Sequence, residues 1–164
     1  MKISFAPLEP DAVDFLTQET GIEFRHIHFE DTLHWFCVTA RRDDDTLMGV
    51  AIGEFKNHFD CYFSTAICDP TCLSRKLLRV IFSTIFRRAV RITVELPPEN
   101  VSAADQTRRM GFVYEGFKRC GIEGTHDALL FGMLREDCRF LPGYHPAHAS
   151  VPPISLGGYH GLRS

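Results

Sequence analysis

The sequence lacks several features that would place it in a specialised class of proteins. No apolar run approaches the ~18 residues of a membrane-spanning helix, and the N-terminal stretch MKISFAPLEPD is too poor in apolar residues for a signal peptide. There is no excess of positive charge, because the formal net charge is −3 at pH 7, which argues against nucleic-acid binding as the main role. We therefore expect a cytoplasmic protein that binds neither membranes nor nucleic acids.

A disulfide framework is also missing, although the chain has six cysteines. Their positions, 37, 61, 68, 72, 120 and 138, follow no framework spacing, so we expect reduced thiols that behave as small apolar residues. Cys68 and Cys72 are spaced like half of a metal site, but no second pair and no histidine cluster accompanies them. We therefore expect no metal ion.

What is present is the pattern of one globular domain, in 164 residues of which 45% are hydrophobic and 24% charged. Strand patterns lie at 1–6, 33–41, 47–55, 61–67, 90–96, 112–118 and 127–134, with Gly49 and Gly53 as candidate bulges. Helical patterns lie at 11–20, after Ser74, and from Asn100 or Ser102 to Met110, while residues 22–30 fit either a short helix or a loop. The strand–helix–strand succession from 61 to 96 predicts a parallel crossover, and the flanking hairpins predict antiparallel edges.

The stretch Cys61–Arg88 is the centre of this pattern, because it contains the first strand and the helix of the crossover. Ser74 is a good N-cap for that helix. Arg75 and Lys76 lie in the first turn, where the helix dipole disfavours cations by roughly 0.3–1 kcal/mol each. A basic first turn is explained if an anion binds there, on free N–H groups and cationic side chains together. A solvated basic face is the alternative.

The composition changes at Cys138. Residues 138–164 hold four of the nine prolines, four glycines and three of the eight histidines, without helical or strand periodicity. We predict a domain at 1–137 and a tail at 138–164 that is not part of the core. The tail is either a flexible end or an arm that orders on a partner protein or in a homo-oligomer, because its seven large apolar residues offer anchors.

Three motifs within residues 46–140 resemble the GCN5-related N-acetyltransferase (GNAT) superfamily. They are the strand–turn–helix Ala66–Phe86, the run NVSAADQTRRMGFVYEG at Asn100–Gly116, and the run DALLFGMLREDCRFL at Asp127–Leu141. The second and third motifs are most similar to the ribosomal-protein alanine acetyltransferase-like branch. The resemblance implies an α+β fold with a mixed, mostly antiparallel twisted sheet, a central parallel strand–helix–strand unit, and helices on both faces.

The resemblance further implies transfer of an acetyl group from acetyl-CoA to a primary amine, either a protein N-terminus or a small molecule. The pantetheine arm is expected along Ser64–Ile67, with a backbone N–H of Ile67 or Cys68 facing the thioester oxygen. The pyrophosphate is expected on the basic first turn of the helix. The expected contacts to acetyl-CoA are Thr65, Ala66, Ile67, Cys68, Ser74, Arg75, Lys76 and Asn100.

A base must take the proton of the amine before the amine can attack a thioester. Glu54, at the end of its strand, and Glu95, on the strand 90–96, are the candidate bases. A mere surface charge is the alternative role for each of them. By the same resemblance Ser102 would protonate the thiolate, and capping of the helix is its alternative role.

Two departures from the superfamily pattern leave a second function open. The pyrophosphate loop, Gln/Arg-x-x-Gly-x-Gly/Ala in the superfamily, corresponds here to residues 71–76, TCLSRK, which contain no glycine to let N–H groups approach a phosphate closely. The tyrosine that many members use as a general acid aligns with Thr107, although the resembled branch lacks it too. The alternative is an inactive protein that keeps the fold and docks through its tail in a larger assembly such as a virion.

Overall fold

The structure, a computed structural model, describes residues 1–6, 9–22 and 33–144. The predicted tail beyond Tyr144 and most of the ambiguous segment 22–30 lie outside the described residues. The strands are β1 (Lys2–Ala6), β2 (Trp35–Arg41), β3 (Leu47–Phe55), β4 (Asp60–Ile67), β5 (Arg91–Leu96), β6 (Val113–Ile122) and β7 (His126–Leu134). The helices are α1 (Pro10–Thr20), α2 (Arg75–Ile85) and α3 (Val101–Met110), with a 3₁₀ turn, Pro70–Cys72, before α2. Within this part of the chain no helix is long and apolar enough to cross a membrane.

The described strands form one sheet in the order β1-β2-β3-β4-β5-β7-β6. Neighbours are antiparallel except β4 and β5, which run parallel because α2 connects them across one face. The last strand, β7, inserts between β5 and β6. This arrangement confirms the predicted α+β class and its mixed sheet around a central parallel strand–helix–strand unit.

Along each strand the side chains alternate between the two faces of the sheet. Different helices cover the two faces. On one face α1 packs against β2, β3 and β4, where the buried residues are Ala12, Val13, Leu16, Cys37, Val50, Ile52 and Ala66. On the other face α2 and α3 share the larger core with the sheet residues Phe63, Ile92 and Phe131. Because α1 has 11 residues and is therefore about 16 Å long, it covers only part of the first face.

Helix α2 begins as its sequence predicts. Ser74 Oγ accepts a hydrogen bond from the N–H of Leu77 at 3.1 Å, which confirms Ser74 as the N-cap. The apolar stripe of α2 is buried against the sheet, at Leu77, Ile81, Phe82 and Ile85. Arg75 and Lys76 are exposed at the start of the helix.

Helix α3 begins at Asn100 rather than at Ser102. The Oδ1 of Asn100 accepts a hydrogen bond from the N–H of Ala103 at 3.1 Å, so Asn100 is the N-cap. Ser102 lies inside the first turn and is exposed. The helix ends at Gly111, whose φ of 104° is readily adopted only by glycine.

The predicted bulge at Gly53 is wrong, and the one at Gly49 is displaced by one residue. Both glycines pair in register with the strands on either side, and the extra residue of this hairpin is Met48, which precedes Gly49 and lies opposite the step from Ala40 to Arg41. Gly53 has a packing role instead, because a Cβ atom there would overlap the ring of Phe36.

The core extends further along the chain than the composition indicates. Cys138, Phe140 and Leu141 are 0%, 6% and 7% exposed and belong to the larger core. The prediction that the chain leaves the core at 138 is therefore wrong for these residues. A turn after β7, closed by a hydrogen bond from the N–H of Leu141 to the carbonyl of Cys138 at 3.0 Å, brings them onto α2. A separate tail beyond Tyr144 stays a prediction.

Candidate active site

The parallel strands β4 and β5 separate in the middle of the sheet. They pair at three positions only, Asp60–Arg91, Cys61–Ile92 and Tyr62–Thr93. Beyond these positions β4 continues to Ile67 and β5 to Leu96 without pairing to each other. The gap between them is a cleft of about 80 Å³ with walls from β4, the end of β5 and α3. Opening a sheet at its centre leaves backbone groups free to pair with a ligand.

The backbone of β4 presents alternate residues to this cleft. The N–H of Cys68 donates to the carbonyl of Met48, next to β3, at 3.0 Å. Because hydrogen-bonding direction alternates along an antiparallel pair, the N–H groups of Thr65 and Ile67 point away from β3 and into the cleft. Of the two predicted donors to a thioester oxygen, Ile67 is therefore directed at the cleft and Cys68 is not.

The four consecutive residues predicted to contact acetyl-CoA, 65–68, therefore do not all face the cleft. Thr65 and Ile67 line the cleft. The side chain of Ala66 is buried beneath α1 on the opposite side of the strand, and Cys68 is exposed beyond the end of β4. An extended ligand in the cleft would meet the backbone of Thr65 and Ile67.

A second and larger cavity, of about 590 Å³, opens next to the cleft on the α1 face of the sheet. The two spaces share Ile22, Phe63, Ser64 and Glu95, so a molecule in the cavity can reach one in the cleft. The cavity walls include the rings of Trp35 and Tyr62, the lysines Lys56 and Lys118, and the carboxylates Glu54, Asp60, Glu95 and Glu123. Aromatic faces combined with carboxylates suit a ligand that carries an ammonium group.

Both predicted bases line this cavity. The Glu95 side chain is 14% exposed, and its Oε1 lies 2.7 Å from Lys118 Nζ. The Glu54 side chain is 23% exposed, and its Oε1 lies 2.5 Å from Lys56 Nζ. Glu95 lines the cavity and the cleft, whereas Glu54 lines the cavity alone. Glu95 is therefore the better placed to receive a proton from an amine that attacks a group in the cleft.

Ser102, the third predicted catalytic residue, is not brought to this site. It lies on the exposed side of α3 and lines neither the cleft nor the cavity. Asn100 is also exposed, and its Oδ1 is occupied by the N–H of Ala103. Thr107, which the sequence resemblance aligns with a tyrosine, is 4% exposed and lines the cleft.

Burial, neighbouring charge and hydrogen bonding shift the pKa of two groups next to Glu95, Tyr62 and Lys118. The pKa of Tyr62 is raised by burial and then by the negative charge of Glu95, so the phenol stays protonated at neutral pH. The hydrogen bond to Glu95 raises the pKa of Lys118 against a smaller lowering by burial, so this amine stays charged. Glu95 is thus bordered by a neutral phenol and an ammonium group.

The N–H groups of the turn before α2 are hydrogen-bonded within the turn itself. Asp69 Oδ1 accepts hydrogen bonds from the N–H of Thr71 at 3.0 Å and from its hydroxyl at 2.6 Å. The N–H groups of residues 72–74 bond to carbonyls two or three positions earlier. The turn therefore does not aim a row of amides at one phosphate, as a glycine-rich loop does.

Arg75 and Lys76 supply the donors that remain at this end of α2. The N–H of Leu77 is taken by Ser74 Oγ, and the first intrahelical bond runs from Leu78 to the carbonyl of Ser74. The N–H groups of Arg75 and Lys76 therefore have no acceptor within the helix. Neither side chain takes part in an ion pair among the described residues. An anion here would meet two amides and two cations.

Sequence reasoning missed the groups that surround the two glutamates. Tyr62, Lys56 and Lys118 lie within the cavity without having been singled out. A signal was present on β4 and β5, where polar residues recur at every second position, at 60, 62 and 64 and at 91, 93 and 95. This spacing places them on one face of the sheet. No comparable pattern in the sequence links Lys118 to these residues. The approach of Lys118 to Glu95 depends on the order of the strands in the sheet, which local spacing does not show.

No protein-family model matches the sequence, and no curated protein is similar to it by sequence. Similar solved structures exist, however. The ribosomal-protein-S5-alanine acetyltransferase of Vibrio fischeri is 16% identical with a TM-score of 0.58, over 85% of this chain and 96% of that one. Mutant forms of the spermidine/spermine N-acetyltransferase SpeG of Vibrio cholerae are 17% identical with a TM-score of 0.58, over 81% of this chain and 95% of that one.

An aminoglycoside acetyltransferase in complex with coenzyme A and kanamycin is similar as well. It is 11% identical with a TM-score of 0.56, over 83% of this chain and 96% of that one. At such identities the likeness shows the fold alone. The chain has the same fold as these acetyltransferase structures, which confirms the fold that the three sequence motifs imply.

Proposed function

We propose that this chain transfers an acetyl group from acetyl-CoA to a primary amine. The observation that carries the proposal is the separation of β4 from β5 beside a cavity that contains carboxylates. A cleft through the sheet can hold a thioester with one side open to an acceptor, and the cavity supplies the space for that acceptor. The three similar structures named above are acetyltransferases, which supports the same reaction class.

The cleft supplies contacts for the pantetheine arm of acetyl-CoA. An extended amide-containing chain can pair with the free edge of β4 as an additional strand would. Thr65 and Ile67 provide the backbone groups for this pairing, because their N–H groups point into the cleft. Arg75 and Lys76 would bind the phosphates through charge-assisted hydrogen bonds, and these bonds would replace part of the missing amide cradle.

The reaction is a direct attack. The neutral nitrogen of the amine forms a bond to the thioester carbonyl carbon, and the bond from that carbon to sulfur breaks. Glu95 takes the proton of the amine, directly or through water, and the departing coenzyme A thiolate takes a proton from solvent. The N–H of Ile67 donates to the negative charge that develops on the carbonyl oxygen. Glu54 is the alternative base and lies further from the cleft.

Calorimetric titration of the chain with acetyl-CoA tests the first half of the proposal. Binding in the micromolar range is expected, followed by release of free thiol when an amine is added. The amine panel should contain a polyamine, an aminoglycoside and a peptide with a free N-terminus. Absence of heat at millimolar acetyl-CoA would contradict the proposal, and would favour the alternative of an inactive protein that retains the fold for interaction.

A further inference from the structure

Two lysine–glutamate pairs border the ring of Tyr62 in the cavity. Lys118 bonds to Glu95 and Lys56 bonds to Glu54. The two ammonium nitrogens lie 6.0 Å and 5.7 Å from the centre of the Tyr62 ring. The pairs are chemically alike, but they differ in position, because only Glu95 also lines the cleft.

We propose that Lys118 is a positioning residue that holds the carboxylate of Glu95 fixed where the cavity meets the cleft, in reach of an amine that attacks a thioester. The inference rests on the proposed function, in which Glu95 is the base. It assigns to β6 a part in the reaction that the three sequence motifs do not indicate.

The contact between the two side chains is direct. Lys118 Nζ lies 2.7 Å from Glu95 Oε1, a distance at which the ammonium donates a charge-assisted hydrogen bond. The Glu95 side chain is 14% exposed, whereas that of Lys118 is 47% exposed. Lys118 therefore restrains the less exposed partner and limits the directions that the Glu95 carboxylate can take.

The other charges of the cavity do not duplicate this contact. The titratable groups that line it besides this pair are Glu54 and Lys56 of β3 and its turn, Asp60 and Tyr62 of β4, and Glu123 after β6. Asp60 accepts a hydrogen bond from Thr93 Oγ1 at 2.8 Å and lies 3.8 Å from Arg91 Nε. Lys56 is bonded to Glu54. Among the described residues, Lys118 is the cation that bonds directly to Glu95.

The position of Lys118 also orients the carboxylate. Lys118 lies on β6, next to β7 and not next to β5, so its side chain must cross the face of the sheet to reach Glu95. The Lys118 ammonium approaches the Tyr62 ring as well, which limits the directions that the pair can take. Arginine at 118 would keep the charge and the hydrogen bond, whereas methionine would keep only the apolar stem.

The test compares Lys118→Met with Lys118→Arg and with the matched control Lys56→Met. NMR of the Lys118 ammonium group in the full chain reports the contact itself, because the hydrogen bond to Glu95 raises the pKa of Lys118. We expect Glu95→Gln to lower the Lys118 titration midpoint and Glu54→Gln to leave it in place. In turnover, Lys118→Met should lower kcat about tenfold with little change in acetyl-CoA affinity. Lys118→Arg should restore most of that rate, and Lys56→Met should lose much less.

The inference is overturned if Glu95→Gln leaves the Lys118 midpoint unchanged, or if Glu54→Gln lowers that midpoint equally. It is also overturned if Lys118→Met leaves the kcat of an active enzyme unchanged, or if Lys118→Arg does not restore it. The NMR titration needs no substrate, so it decides whether Lys118 is bonded to Glu95 even in a chain that fails to transfer acetyl groups. That failure would count against the proposed function and not against the lysine–glutamate coupling.

Discussion

The ring of Phe140 stacks on the ring of Phe82, with 5.5 Å between the ring centres and 27° between their planes. Phe82 lies in the middle of α2, whereas Phe140 follows the last strand of the sheet. Arg79 Nε donates to the carbonyl of Phe140 at 3.1 Å. These contacts tie the chain after β7 to the helix that joins the two separated strands.

Replacing Phe140 with alanine should therefore destabilise the whole domain. Truncation of a buried phenylalanine costs about 3–5 kcal/mol, and in a domain of this size that corresponds to a fall of roughly 10 °C in melting temperature. The control is a chain that ends at Tyr144, which keeps every described core contact and should melt within a few degrees of the full chain. Thermal circular dichroism gives the melting temperatures. An equal fall in melting temperature in both variants would show that residues 145–164 also stabilise the core.

The same shortened chain tests the predicted role of the tail in association. If residues 145–164 form an arm that orders on a partner or a second copy, their removal should abolish any oligomer of the full chain without lowering its melting temperature. Light scattering at several concentrations gives the measurement. An oligomer that survives the truncation would exclude the tail as its interface.

Arg75→Ala should weaken acetyl-CoA binding about tenfold, because a charge-assisted hydrogen bond contributes roughly 1.5–3 kcal/mol. Arg87→Ala is the matched control. It removes an exposed charge of the same kind just beyond the other end of α2, so it changes the net charge equally without changing the proposed phosphate contact. Calorimetry with acetyl-CoA should separate the two variants, and equal affinities would reduce the role of Arg75 to a solvated charge.

Glu95→Gln should lower kcat at least ~100-fold with little change in acetyl-CoA affinity, because glutamine keeps the shape of the side chain but cannot accept the proton. Glu54→Gln removes the same charge from the same cavity and should lose much less activity. Thiol release under saturating acetyl-CoA gives the comparison. The reverse order of the two variants would identify Glu54 as the base.

Asn100→Ala should destabilise the chain by about 1 kcal/mol, because the N-cap of α3 would lose its acceptor. Ser102→Ala should change stability by less than about 0.5 kcal/mol, since Ser102 is an exposed residue inside the helix. Urea unfolding of both variants decides between the two cap assignments that the sequence leaves open. A larger loss for Ser102→Ala would contradict the cap that the structure shows.

The sequence alone was sufficient to predict the elements and the class of the fold. The cap at Ser74 and the helical pattern at 11–20, which forms α1, depend on residues within a few positions of one another, and local patterns of that range can be read directly. The parallel pairing of β4 and β5 follows because a helix must cross between them. The three motifs extended this prediction to the GNAT fold.

Only the tertiary structure decided where the strands stop pairing and which side chains meet. Nothing local in β4 indicates that its pairing with β5 ends at Tyr62, or that the N–H of Ile67 is free while that of Cys68 is bonded. Lys118 reaches Glu95 across β7, which inserts between β5 and β6, and Phe140 reaches Phe82 across 58 positions of the chain. Such contacts depend on sheet order and register, which are set by the packing of all strands together.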